Sequence, residues 1–168
     1  MRAILLLVKL SYKLKTGGDM QLNKLDKALL LDIATEKSQG GHFYRFEHLL
    51  VVFGRWSRNG IYPRGLELYS VTNRVRKAIF VDPASVFLLI DSLLCRYKLD
   101  NTFKAKYLAF DLYFLTSPKS ENTRAAKTKT LKALLNSAPA SFLKDYVRAY
   151  QALTELIRLD LLERLKAD

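Results

Sequence analysis

The chain has 168 residues, a formal net charge of +12 and a pI near 9.8. At 49% hydrophobic residues it has the means to bury a core in one domain, which argues against disorder, and so basic a protein either meets a polyanion or uses its charge for solubility. A single cysteine excludes an intrachain disulfide and a cysteine-based metal site, and no run approaches the roughly 20 apolar residues of a membrane span.

Met1 to Lys15 places Ile4, Leu5, Val8, Leu10 and Tyr12 at spacings that predict a short buried helix, headed by the starting Met without a polar cap. A second reading of that uncapped opening is that the polypeptide corresponds to the tail of a larger one. The apolar run Ala3 to Val8 is too short for a secretory core and no small-residue cleavage site follows, so a cytoplasmic protein is expected. Thr16 to Asp19 is a break. Leu22 to Lys37 reads as a helix on Leu22, Leu25, Leu29, Leu30 and Ile33, ended by Gly40-Gly41.

His42 to Trp56 is the next predicted helix. Phe43, Phe46, Leu49, Leu50, Phe53 and Trp56 make a stripe read as core, while Tyr44, His48 and Arg55 recur on another side, which either faces phosphate or is an ordinary solvated face. Ser57 to Gly65 reads as a loop through Asn-Gly and Pro-Arg-Gly turn chemistry. It offers Arg58, Tyr62 and Arg64 as contacts and two glycines for close backbone approach. Leu66 to Phe80 is predicted helical through Leu68, Val71, Val75 and Ile79, with a strand over Lys77 to Val81 as the second reading.

Asp82-Pro83 is a capping carboxylate followed by a first-turn proline, and the helix it starts, Pro83 to Lys98, is apolar almost all round and expected at the centre of the core. Cys95 within it is read as a small core residue. Phe103 to Leu115 is predicted as one helix. Thr116 to Asn122 is polar and turn-rich and reads as a flexible junction. A basic helix, Glu121 to Asn136, follows, and a last helix runs from Ser137-Ala138-Pro139 to about Lys166 on a stripe of Phe142, Tyr146, Ala149, Leu153, Leu156 and Ile157.

The positive charge is uneven. Phe43 to Lys77 holds seven basic residues against two acids, and 121–136 holds four against one, whereas the last 32 residues balance five against five. Arginine forks suit phosphates and flat rings suit bases. The candidate nucleic-acid contacts are therefore Arg45, His48, Arg55, Arg58, Tyr62, Arg64, Arg74, Arg76 and Lys77 in the first segment and Arg124, Lys127, Lys129 and Lys132 in the second. The neutral terminal helix reads as scaffold or a protein-contact surface. No H-E-x-x-H, C-x-x-C, G-x-S-x-G, G-x-G-x-x-G or P-loop pattern is present, and His42 and His48 are badly spaced for one metal. No catalytic residue, cofactor or metal is expected.

The uncapped MRAILLLVKL opening, the basic-aromatic FYRFEHLLVVFGRWSRNGIYPRG stretch and the RAAKTKTLK segment together resemble the small subunits of type I CRISPR effector (Cascade) complexes, some of which are made from an internal start in the large-subunit gene. The resemblance implies a helical bundle that stacks in copies beside the CRISPR RNA backbone and guides target DNA strands with basic residues, here Arg55, Arg58, Arg64, Arg124, Lys127 and Lys132. The expectation is thus an all-α single domain of six or seven helices that binds nucleic acid without catalysis inside a ribonucleoprotein assembly, with no membrane contact. The alternative is a helical protein-interaction adaptor without nucleic-acid contact.

Overall fold

In the computed structural model the described residues are 21–60, the strand backbones 66–69 and 75–78, and 80–167. The expected helix over Met1 to Lys15 and the break after it lie outside them. Six α-helices are described: α1 (Lys24–Ala34), α2 (Tyr44–Asn59), α3 (Pro83–Leu99), α4 (Lys104–Phe110), α5 (Glu121–Leu135) and α6 (Phe142–Lys166). They form a helical bundle around one core, as the apolar periodicity requires.

The ends of these helices follow from side-chain chemistry. Asn23 caps α1 by accepting from Leu25 N–H at 2.9 Å. Thr35 closes the same helix, its hydroxyl donating to Leu31 O at 2.7 Å. Gly40 and Gly41 do not end α1. They form a tight turn between Gln39 and His42 with φ of 58° and 84°, values that glycine adopts without a Cβ penalty. Helix α2 has no capping side chain of its own. The Glu36 carboxylate supplies one from outside by accepting from Arg45 N–H at 3.0 Å and Phe46 N–H at 3.3 Å.

Asp82 caps α3 through Ser85 N–H at 3.3 Å, with Pro83 in the first turn as its sequence indicates. The stretch leading into α3 is pinned from α1. Buried Asp26 accepts from Val81 N–H at 2.7 Å and Asp82 N–H at 2.8 Å. Helix α3 contributes Val86, Phe87, Leu88, Leu89, Ile90, Leu94 and Tyr97 to the core, whereas Cys95 is exposed. The expectation that Cys95 is a core residue fails because α3 packs on one side only past Ile90: Leu94 and Tyr97 face inward there and Cys95 turns outward.

Helix α6 is the spine. It packs on α1, α3, α4 and α5, burying Ala149, Tyr150, Leu153, Ile157, Leu161 and Leu165. It is tied to α3 by Tyr97 Oη donating to Asp160 Oδ2, and burial together with that carboxylate pushes the Tyr97 phenol up to about 12. Arg158 joins it to α1. Its Nη1 donates to Ala34 O at 2.6 Å, at the negative end of α1, while its other nitrogens hold Glu155 and its guanidinium lies 4.2 Å from the Phe43 ring centroid.

The stretch expected as a helix over Leu66 to Phe80 is instead a hairpin, β1 (Leu66–Tyr69) paired antiparallel with β2 (Val75–Ala78). The register sets Leu66 against Ala78, Glu67 against Lys77, Leu68 against Arg76 and Tyr69 against Val75. Leu-Glu-Leu-Tyr alternates with the two-residue period of a strand, and that local period prevails over the four widely spaced apolar residues that suggested a helix. β1 lies against α2.

Candidate nucleic-acid interface

The two basic segments meet at one turn. Helix α4 widens into a π-helical turn, Asp111–Leu115, closed by Thr116 N–H donating five residues back to Asp111 O at 2.7 Å. The Thr116 hydroxyl adds a bond to Asp111 Oδ1 at 3.1 Å, so the start of the expected flexible junction is anchored. A helix end leaves carbonyl oxygens without intrahelical partners and carries partial negative charge. Cations from both flanking helices take these groups. Arg58 of α2 donates from Nη1 to Phe114 O at 3.3 Å and Leu115 O at 3.0 Å. Arg124 of α5 donates to Leu112 O at 3.3 Å. Lys127 of α5 donates to Asp111 Oδ2 at 2.8 Å and to Thr116 Oγ1 at 3.3 Å. Burial, with the Arg55 charge nearby, holds the Arg58 guanidinium below the ordinary arginine value.

Helix α2 reaches the turn because Gly54 has no side chain. A Cβ at Gly54 would overlap the Phe114 carbonyl oxygen and sit 3.4 Å from Arg58 Nη1. Arg58 belongs to α2 and not to a loop. The helix continues through Ser57, Arg58 and Asn59 and stops at Gly60, whose left-handed backbone (φ 69°) directs its N–H to Trp56 O at 2.7 Å.

The candidate contacts thus divide. Arg58, Arg124 and Lys127 are turned onto the protein's own backbone and carboxylate oxygens. These are the oxygens with which phosphate would have to compete, and an apolar pattern does not reveal them. Arg45 pairs with Asp32 of α1. His48 is half-buried. Arg55 on α2 and Lys129 and Lys132 on α5 are exposed. Tyr62, Arg64 and Arg74 lie outside the described residues, and Arg76 and Lys77 are placed only by the β2 backbone.

Sequence reasoning passed over the aromatic row beside this turn. Tyr113, in the π turn, is 47% exposed and stacks on the buried Tyr150 ring at 4.1 Å and 13°. Tyr146 meets Tyr150 edge-on at 5.3 Å, and Phe142 stacks on Tyr146 at 6.0 Å. Lys132 Nζ lies 5.1 Å from the Phe142 ring centroid. Burial and the Tyr113 phenol push the Tyr146 hydroxyl up to about 12, against the opposing charge of Arg124. Phe142 and Tyr146 were legible as an apolar stripe. The available signal was their four-residue spacing with Tyr150, which puts three rings on one face of a helix.

Leu115 also borders a cleft of about 160 Å³ lined by Phe53, Ser57, Asp91, Cys95, Lys98 and Tyr107. Among the described residues no three His, Cys, Asp or Glu side chains gather in a way that could hold a metal ion, and no helix is long and apolar enough to cross a membrane. In class, the described part is a helical bundle whose basic helices converge on a cation-held π turn. No protein-family model, no curated protein and no solved structure matches the chain.

Proposed function

We propose that this protein is a non-catalytic, cytoplasmic nucleic-acid-binding subunit of a larger ribonucleoprotein assembly, acting in the manner of a small subunit of a type I CRISPR effector and working away from membranes. Its partners in this reading are CRISPR RNA or target DNA, other effector subunits and further copies of itself. The observation that carries it is the exposure of Arg55, Lys129 and Lys132 on the two helices that flank the π turn. They belong to segments that hold most of the chain's excess positive charge. Phosphate contacts from such cations give affinity without sequence preference, which suits a subunit that tracks a backbone.

The test is binding to a labelled single strand as salt is raised. Each phosphate contact on a single strand contributes about −0.7 to the slope of log affinity against log salt, so these three cations alone give a slope of about −2. Basic residues of 61–65 and 70–79 would steepen it. A slope near zero, or no binding at low salt, defeats the reading and leaves the protein-interaction adaptor.

A further inference from the structure

We propose that the aromatic row on α6 and the π turn is a stacking subsite for unpaired bases, with Tyr113 as its outer platform. This inference rests on the nucleic-acid reading above and adds to it a contact to bases that backbone binding does not need.

The geometry sets the site. One face of the Tyr113 ring lies on Tyr150 and an edge of it meets Phe114 at 4.6 Å. Its 47% exposure therefore belongs to the opposite face and outer edge. Tyr146 lies 6.5 Å away at 57°, with Phe142 stacked beyond it, so ring surface continues from the π turn to the start of α6. The row cannot easily collapse. Tyr150 behind it is buried, and the Leu112 and Phe114 carbonyls either side of Tyr113 are held by Arg124 and Arg58. A rigid, half-covered ring with a free face loses little entropy on stacking.

Charge selects the occupant. Lys132 stands at the Phe142 end, and Lys129 lies one helical turn before it on α5, both exposed. The acid in the first turn of α6, Asp145, accepts from Ser137 Oγ at 2.7 Å, and Asp111 at the start of the π turn is held by Lys127 and Thr116. Flat apolar rings bordered by ammonium groups fit a base with its attached phosphate, whereas a hydrophobic peptide would have no use for the lysines.

Tyr113→Leu, Tyr113→Phe and the unmodified protein, each as the full chain, are to be titrated with labelled dT and rU oligonucleotides and with an abasic oligodeoxynucleotide of equal length. The expected result is that Tyr113→Leu weakens binding to dT or rU by about tenfold, within the range of one base–aromatic stack, while binding to the abasic strand is unchanged and Tyr113→Phe retains affinity. The dT and rU arms report whether DNA or RNA is the better ligand. Equal affinity for abasic and base-bearing strands, with no effect of Tyr113→Leu, overturns the stacking subsite while leaving salt-dependent backbone binding intact. Failure of every strand to bind overturns both. A Tyr113→Leu protein that loses the abasic strand equally also overturns the subsite, since the ring would then act through the fold.

Discussion

Gly54→Ala should destabilise the protein by about 2–4 kcal/mol, the upper range for overpacking a tight contact. The sign is the informative part. In a helix interior Ala is favoured over Gly by about 1 kcal/mol, so propensity alone predicts a gain. Against that, the added Cβ would overlap the Phe114 carbonyl oxygen, a backbone atom that Arg58 also holds. Neither can step aside without parting α2 from the π turn. Denaturant unfolding should show a lower midpoint at an unchanged slope. A Gly54→Ala protein as stable as the original would mean that α2 and the turn are farther apart than described.

Asp26→Ala is expected to cost about 3–5 kcal/mol, since hydrogen bonds to a charged group contribute about 1.5–3 kcal/mol each and two are lost. Asp26 is 1% exposed, and its two carboxylate oxygens separately accept from Val81 and Asp82 N–H. Removing it strands both donors at the entry to α3. Asp26→Asn should recover little, because its amide NH2 would face a donor. A loss under about 1 kcal/mol, measured by the same unfolding experiment, would show that other acceptors serve these amides.

Asp26 illustrates where the sequence is silent. Its neighbours Leu25, Leu29 and Leu30 announce a helix, but Leu25 is exposed, and nothing in the residue string says that a first-turn carboxylate will cross to position 81. Local signals did carry the fold. Asp82-Pro83 marks the start of α3, and the spacing of Ala149, Leu153 and Ile157 marks the buried face of α6. The hairpin was missed because four-residue strands offer a weaker periodicity than the helix pattern spread over fifteen positions.

The site was legible in its charges and not in their partners. The excess of arginine and lysine around α2 and α5 is plain from composition. That Arg58, Arg124 and Lys127 close a helix end depends on α4 finishing in a π turn between them, a long-range outcome that no spacing rule reports. Basic residues in this protein therefore serve two ends. Some complete the termini of helices, as Arg158 does at Ala34, and others, Arg55, Lys129 and Lys132 among them, are exposed, which is where we propose that an anionic partner binds.

The most direct test of that division compares two sets of alanine variants for thermal stability and for binding to a single strand at low salt. Arg58→Ala and Arg124→Ala should each lower the melting temperature by several degrees, following a loss of about 1–3 kcal/mol per buried carbonyl left without its donor. The combined Arg55, Lys129 and Lys132 to Ala variant should melt close to the unmodified protein and bind at least about tenfold more weakly, as expected when three phosphate contacts are lost. If the triple variant instead binds the strand as tightly as the original, the exposed cations are not the gripping surface and the account is wrong.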